Sequence, residues 1–337
     1  MKRLIILVII LSLLALGIFA QQSYSFLKTK PSETHNEKII DIPPGSSPRY
    51  IANALAKEGV VTSATRFYLL VRILGKDRAI KAAEYQFFTD MSPLDVLDIL
   101  ISGKPYLHKI SIPEGSSMEQ IGNILENKNI TSKEEFLKAA HDPGLLKSNG
   151  IDANSAEGYL FPETYSLPKR STGKDIVNKM LNTFQDNYDP QWDPEGKKYN
   201  FSRHQIVTLA SIIEKETGIP SERPLISAVI HNRLKKGMKL QSDPTVIYGI
   251  PNFSGNITKK DLLTHTPYNT YTNYGLPPGP IANPGRDSLM AAAFPANVSY
   301  TFFVSKNDGS HIFTSTYKEH LKEVEKHQIE PFKRKNR

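Results

Sequence analysis

The chain has 337 residues, room for two or three domains, and an ordinary globular composition with a net charge of +8. It contains no cysteine, which excludes a disulfide framework, a thiolate zinc site, an iron–sulfur cluster and a cysteine nucleophile. Its nine histidines show no paired spacing such as HExxH, so we expect neither a metal nor another cofactor.

The N-terminal segment predicts export from the cytoplasm. Lys2 and Arg3 precede an uncharged run, Leu4–Ala20, which as a helix would be about 26 Å long and could just span a bilayer core. Positively charged residues beside a membrane-spanning segment stay in the cytoplasm. Residues 1–21 are therefore predicted to be a cytoplasmic start and a single inner-membrane anchor. A cleaved signal peptide is the alternative, and residues 22–36 indicate a linker.

The exported body would be the part that carries the excess of positive charge. Outside the cytoplasm this charge suits an anionic membrane surface or an anionic envelope polymer rather than nucleic acid. The alternative is that it belongs to a solvated basic surface with no specific partner.

An internal repeat with an offset of 70 residues follows the linker. Residues 40–47 (IDIPPGSS) recur as residues 110–117 (ISIPEGSS). Each copy has alternating apolar residues, a Pro-x-Gly turn, a serine helix cap and an amphipathic helix. Strand–helix units of this size resemble LysM modules, which bind the sugar backbone of peptidoglycan. We therefore expect a LysM-like region over 37–140, with a spacer that holds the next domain off the membrane as the alternative.

The sequence changes character near residue 150, and a further domain is predicted over 150–335. A hairpin is expected around Asn307, Asp308 and Gly309, followed by a polar helix. Because helices are mixed with few, separated strands, the predicted fold class is α+β. The other predicted elements are three helices and two loops: helices at 176–188, 202–217 and about 222–236, a charged loop at 191–199 and a long Pro/Gly/Tyr-rich loop at 264–285.

The helix predicted at 202–217 carries two carboxylates near its end. At about 100° per residue, Glu216 falls within the apolar stripe of Leu209 and Ile213, whereas Glu214 lies clear of it. Burial and the negative helix end both raise the pKa of a carboxyl on the apolar face, and a general acid for glycosidic cleavage must be protonated. Glu216 is therefore the candidate acid. The alternative is a structural salt bridge to an arginine: Arg223 or Arg233.

The residues around Glu216 are similar to the catalytic helix of lytic transglycosylases. The stretch 210–218 (ASIIEKETG) places Glu216 at the catalytic position, and Thr217 stands where serine is usual. In a separate block at 157–165, Glu163 stands where aspartate is expected. Five further blocks resemble the YceG-like family of endolytic murein transglycosylases: 157–165 (EGYLFPETY), 221–223 (SER), 240–249 (LQSDPTVIYG), 267–271 (PYNTY) and 275–285 (GLPPGPIANPG). The resemblance covers nearly the whole chain, since the anchor, the LysM-like region and the catalytic domain come in the family's order.

The resemblance implies cleavage of peptidoglycan without water. Glu216 would protonate the oxygen between N-acetylmuramic acid and N-acetylglucosamine, then accept the proton of the muramoyl 6-hydroxyl as a 1,6-anhydro end forms. No second carboxylate shares its helix face, although Asp243 or Glu163 could come from a distant segment. The family further implies nascent glycan strands as substrate, an end to strand elongation, and peptidoglycan synthases (penicillin-binding proteins) as partners. A hydrolytic muramidase and a non-catalytic peptidoglycan-binding scaffold are the alternatives.

A second set of residues is expected to bind the sugar or to orient the acid. Tyrosine pairs a flat apolar face with a hydrogen-bonding tip, which suits sugar rings and N-acetyl groups. The alternative is that these Pro- and Gly-rich segments only hold a long loop in shape. The expected substrate-binding residues are Gln241, Asp243, Thr245, Tyr268, Asn269, Tyr271 and Glu163.

Overall fold

The computed structural model describes residues 2–331. Met1 and residues 332–337, which include the end of the domain predicted over 150–335, lie outside this range. The chain divides into two compact units. The first unit comprises residues 1–108 and 166–169, and the second comprises 109–165 and 170–337. Helices and two-stranded sheets occur together, which confirms the α+β class.

The first unit is built around an antiparallel pair of strands. In its register, Glu37 lies opposite Phe88 and Ile42 opposite Ala83. Tyr85 and Phe87 are fully buried in its core. Its elements in chain order are α1 (Lys2–Lys28), β1 (Glu37–Ile42), α2 (Pro48–Lys57), α3 (Ala64–Ile73), β2 (Ala83–Phe88) and α4 (Pro93–Ser102).

Helix α1 contains the apolar run 4–20 and continues into the segment predicted to be a linker. Near its end, Phe26 is buried in the core of the first unit. The side chains of Lys2 and Arg3, the predicted cytoplasmic flank, lie outside the described ones. Across residues 2–331, no helix is both long enough and apolar enough to cross a membrane. The anchor stays a prediction.

The second unit holds most of the helices. Strand β3 pairs with β4, and β5 pairs antiparallel with β6. Its elements, with the strands in which the two units divide, are β3 (Leu107–Ser111), α5 (Met118–Asn127), α6 (Lys133–Ala140), α7 (Pro143–Ser148), β4 (Thr164–Pro168), α8 (Gly173–Asn187), α9 (Trp192–Lys197), α10 (Arg203–Glu216), α11 (Arg223–Lys235), α12 (Asp243–Tyr248), α13 (Lys259–Leu263), α14 (Arg286–Ala293), β5 (Phe302–Ser305), β6 (His311–Thr314) and α15 (Tyr317–Val324).

Both copies of the sequence repeat fold into the same strand, turn and capped helix. Gly45 and Gly115 have φ of 78° and 72°, a conformation that glycine adopts without strain. In each turn a serine hydroxyl donates to a proline carbonyl oxygen at 2.7 Å, from Ser46 in the first copy and from Ser116 in the second. The first copy lies in the first unit and the second copy in the second unit. The predicted 37–140 region therefore spans both units, and its LysM-like character stays a prediction.

The three predicted helices and the hairpin of the second unit are present as α8, α10, α11 and β5–β6. The charged loop predicted at 191–199 is wrong, because Trp192–Lys197 forms helix α9. Trp192 is only 2% exposed and packs edge-on against Tyr188, so a buried aromatic residue anchors this charged segment. Helix α14 was not predicted, because its short run of alanines carries no clear periodicity.

Candidate active site

Helix α10 positions Glu216 at its C-terminal end. A capping box between Ser202 and Gln205 begins the helix, and the chain turns extended at Thr217. All eight residues 206–213 are buried, so the helix is enclosed on every side rather than along one stripe. The last turn lies at the edge of this buried part: Lys215 is exposed, and Glu214 and Glu216 are partly buried.

Glu216 receives a short hydrogen bond from a neighbouring hydroxyl. Ser242 Oγ donates to Glu216 Oε1 at 2.5 Å. Ser242 is itself buried, and its N–H donates to Thr270 Oγ1 at 3.0 Å. Thr245 Oγ1 donates to the carbonyl oxygen of Ser242 at 2.6 Å. The start of α12 and the 267–271 loop thus hold one rotamer of the serine against the acid.

The electrostatic surroundings favour a protonated Glu216. Burial raises its pKa above the ordinary value, and the neighbouring charge of Asp243 raises it further. The hydrogen bond from Ser242 and the positive charges of His311 and Arg233 act in the opposite direction. The net direction is upward. A carboxyl of this kind can donate a proton near neutral pH and still be stabilised after losing it.

Asp243 is held by a tyrosine. Tyr271 OH donates to Asp243 Oδ1 at 2.6 Å, and burial and this carboxylate raise the pKa of Tyr271. The structure thus brings together three of the residues expected from the sequence: Glu216, Asp243 and Tyr271.

The neighbouring Glu214 has a different environment. Its side chain is 6% exposed, and Glu214 Oε1 lies 3.3 Å from Arg223 Nη2. Its other oxygen accepts the N–H of Gly285 at 2.9 Å. Glu114 and Asp287 also face the guanidinium of Arg223, at 3.5 and 3.4 Å. The salt bridge to Arg223 considered for Glu216 is therefore made by Glu214.

The chain after Glu216 forms a second hydrogen-bonded group. Thr217 Oγ1 donates to Glu222 Oε2 at 3.1 Å. The same carboxylate receives the N–H of His311 at 2.8 Å and lies 2.7 Å from its Nδ1. Burial opposes the charge of Glu222, but the hydrogen bonds from His311 and Thr217 lower its pKa. These bonds hold the imidazole of His311 against Glu222.

Three of the predicted substrate-binding residues make hydrogen bonds within the loops, and their role in substrate binding stays a prediction. Asn269 is fully buried, and its amide nitrogen donates to the carbonyl oxygens of Asp261, Leu262 and Thr264. Thr245 is fully buried, and its hydroxyl is used by Ser242. Gln241 has a positive φ of 51°, and its N–H donates to Thr270 O. The side-chain hydrogen bonds of Asn269 and Thr245 and the backbone hydrogen bond of Gln241 thus lie within the loops, while Gln241 itself is exposed.

Glu163 is exposed, and its carboxylate accepts the N–H of Thr164 at 2.8 Å. It is not among the groups that surround Glu216. Tyr268 is turned toward a cavity of about 370 Å³, which it lines together with Asp152, Glu157 and His204. This places Tyr268 where a ring of a bound sugar could contact it.

Sequence reasoning did not single out Ser242, His311 and Glu157. Ser242 stands next to Asp243 inside a recognised block, so its hydroxyl could have been noticed. His311 reaches the site from strand β6, and no local pattern marks it. Glu157 begins another recognised block, but its burial depends on contacts made far along the sequence. Over residues 2–331, no cluster of three or more His, Asp or Glu side chains could hold a metal ion.

The chain as a whole is similar to several known proteins. The sequence model of the YceG-like family matches residues 40–326. A protein of Bacillus subtilis named endolytic murein transglycosylase is 34% identical over 90% of this chain and 88% of its own length. One of the same name from Streptococcus pneumoniae is 28% identical over 95% of this chain, which spans 64% of its length. A crystal structure of a YceG-like protein from Listeria monocytogenes matches 86% of this chain with a TM-score of 0.59 and 32% identity.

Proposed function

This chain belongs to the YceG-like family, and we propose that Glu216 makes it an endolytic lytic transglycosylase that cleaves peptidoglycan to leave a 1,6-anhydro end. The observation that carries the proposal is the environment of Glu216. It is a carboxyl with a raised pKa at the end of a buried helix, hydrogen-bonded by Ser242. Such a group can serve as acid and then as base.

In the first step Glu216 donates its proton to the oxygen that joins N-acetylmuramic acid to N-acetylglucosamine. The bond from the muramoyl anomeric carbon to that oxygen breaks, and Glu216 becomes a carboxylate. The hydroxyl of Ser242 and the positive charges of Arg233 and His311 stabilise this carboxylate. Burial disfavours it, so the group is ready to accept a proton again.

In the second step the carboxylate takes the proton of the muramoyl 6-hydroxyl, whose oxygen bonds to the anomeric carbon. Glu216 returns to its protonated form and no water is consumed. A retaining or inverting hydrolase would instead use two carboxylates. The second carboxylate nearest in the network, Asp243, is already bound by Tyr271. This arrangement supports transfer to the internal hydroxyl.

The test is mass spectrometry of products from purified glycan strands. Anhydro ends are the expected result. Reducing ends would make the protein a hydrolytic muramidase, and the absence of cleavage by a folded protein would make it a peptidoglycan-binding scaffold. Either of these outcomes contradicts the proposal.

We further propose that the N-terminal segment stays attached to the inner membrane and holds the enzyme outside the cytoplasm. There it would cut strands nascent from peptidoglycan synthases of the penicillin-binding class and so end their elongation. Membrane fractionation and N-terminal sequencing of the mature protein test the anchor. A mature protein that starts near Gln21 contradicts it.

For the first unit we propose weak binding of the glycan at a groove of about 380 Å³ beside β1 and α2. Ile39 and Tyr50 are exposed there, and Asn53 offers an amide beside these apolar surfaces. Full-length Tyr50→Ala should be retained less on peptidoglycan sacculi than the wild type. Equal retention would leave the spacer role for this unit.

A further inference from the structure

Glu157 is a second buried carboxyl, and the proposed mechanism does not use it. Its side chain lies in the second unit and the residue is only 3% exposed. Every neighbour that approaches its oxygens has a hydrogen to donate. Met118 N–H lies 3.1 and 3.2 Å from the two oxygens, Asn283 Nδ2 donates to Oε1 at 2.9 Å, and Tyr248 OH donates to Oε2 at 3.2 Å.

Tyr248 connects this carboxyl to the catalytic region. It is the last residue of α12, and Ser242, the hydrogen-bond donor to Glu216, immediately precedes the same helix. A six-residue helix is about 9 Å long, so one short rigid element links the two carboxyl sites. The ring of Tyr248 also packs on Tyr268 with centroids 4.8 Å apart.

Tyr268 belongs to the 267–271 loop, three residues before Tyr271. Tyr268 and Glu157 line the same cavity of about 370 Å³, and Tyr271 holds Asp243. An extended chain spans at most about 3.5 Å per residue. The backbone of Tyr268 at the cavity therefore lies within about 10 Å of the backbone of Tyr271, which holds Asp243. A bound sugar chain long enough to reach both would contact Tyr268.

We propose that Glu157 is a positioning residue for the proposed reaction: its carboxylate, through Tyr248, fixes the orientation of Tyr268 at a sugar-binding cavity. This inference rests on the proposed function and adds to it a residue that has no contact with the reacting atoms.

The protonation state of Glu157 couples this link to pH. Burial raises its pKa to about 7, while the donors from Met118, Tyr248 and Asn283 act in the opposite direction. When Glu157 is protonated, one of its oxygens carries a hydrogen and accepts fewer hydrogen bonds. Of the three donors, only the hydroxyl of Tyr248 can rotate away, so its hydrogen bond to Glu157 is the one that is lost. The titratable groups that face it are Glu119, Asp152, His204, Tyr248 and Tyr268.

The test compares kcat and KM on purified glycan strands for full-length wild type, Glu157→Gln and Tyr248→Phe across the pH range around neutrality. Glu157→Gln should raise KM about tenfold and change kcat by less than about threefold, because the link acts on the binding cavity. In the wild type kcat/KM should fall as the pH drops below about 7. This acidic limb should disappear in Glu157→Gln.

The double variant should be no worse than either single variant, because both changes break the same link. Glu134→Gln, which removes an exposed carboxylate of α6, is the matched control and should behave as wild type. An unchanged KM with the acidic limb intact, or fully additive effects of the two changes, would overturn the proposal. A merely structural role would lower the melting temperature and leave the pH profile in place.

If Glu157→Gln does not fold, as judged by circular dichroism, Tyr248→Phe alone carries the test because it leaves the carboxyl in place. If wild type does not cleave, the proposed function fails, and the inference is tested by binding instead. In the Glu216→Gln background, Glu157→Gln should then raise the dissociation constant for glycan strands about tenfold. Equal dissociation constants with and without Glu157→Gln would overturn the inference.

Discussion

Two regions of the second unit contact the last turn of helix α10, and they surround its two glutamates with different groups. The region around Arg223 and Gly285 gives Glu214 a cation and an N–H, which compensate a negative charge. The region around Ser242 and Asp243 gives Glu216 one hydroxyl and a neighbouring negative charge. Two carboxyls in one helical turn therefore have different electrostatic surroundings.

The comparison teaches that burial alone does not mark a catalytic acid. Glu214 has a 6% exposed side chain, but it is paired. Glu216 is partly exposed, but within residues 2–331 no cation forms a salt bridge with its carboxyl, and its pKa is raised. What distinguishes the acid is the missing compensation of its charge. The predictions below test this distinction.

The largest effect is expected from Glu216→Gln. The amide keeps the size of the side chain but cannot donate and recover a proton, so the rate of glycan cleavage should fall at least about 10²-fold. Quantification of anhydro ends from purified strands measures it. Circular dichroism is the control for folding. A variant that folds and cleaves at the wild-type rate would contradict the assignment.

The same variant should keep or gain stability at neutral and alkaline pH. Because the pKa of Glu216 is raised in the folded state, the wild type loses stability as the pH rises from the ordinary glutamate range through that raised pKa. Glutamine has no such dependence. Melting temperatures of both proteins as a function of pH check the sign, and a variant that is less stable only at high pH contradicts it.

Two substitutions beside Glu216 should move its pKa in opposite directions. Ser242→Ala removes a donor to the carboxylate and should move the alkaline limb of kcat/KM to higher pH. Asp243→Asn removes a negative charge and should move the limb to lower pH. Each shift should be about one pH unit. Shifts in the same direction would show that the limb reports another group.

The smallest effect on activity is expected from Glu214→Gln. It breaks the buried contact with Arg223, although Glu114 and Asp287 remain near the guanidinium. We expect a loss of stability of about 1–3 kcal/mol and a change in cleavage rate below about threefold. Thermal unfolding and the strand assay measure both. Loss of activity equal to that of Glu216→Gln, in a folded protein, would remove the distinction between the two glutamates.

The elements around the site were predictable where the signal is local. Helix α10 follows from its capping box and from Gly218 and Pro220 beyond its end, and the hairpin follows from Asn307-Asp308-Gly309. The surroundings of the carboxyls were not predictable. Arg223 could have paired with either glutamate, and only the folded chain decides that it pairs with Glu214.

The two repeat copies show the same limit. Their turns are equivalent and a serine caps each helix, as the repeated sequence predicts, although only the second copy closes a capping box, with Gln120. Their surroundings differ, because the second copy has Glu114 near Arg223 and its Ser116 carbonyl oxygen accepts Asn283 Nδ2 at 2.9 Å. A motif of eight residues specifies its own geometry. It does not specify which distant segment packs against it.

The central claim, that Glu216 is the carboxyl kept protonated, is tested most directly by NMR titration of glutamate side-chain carboxyl carbons. Glu216→Gln, Glu214→Gln and Glu157→Gln assign the resonances. We predict that the resonance lost in Glu216→Gln titrates above the ordinary glutamate range in wild type and moves to lower pH in Asp243→Asn. An ordinary pKa for this resonance, or no change of its titration in Asp243→Asn, would contradict the account.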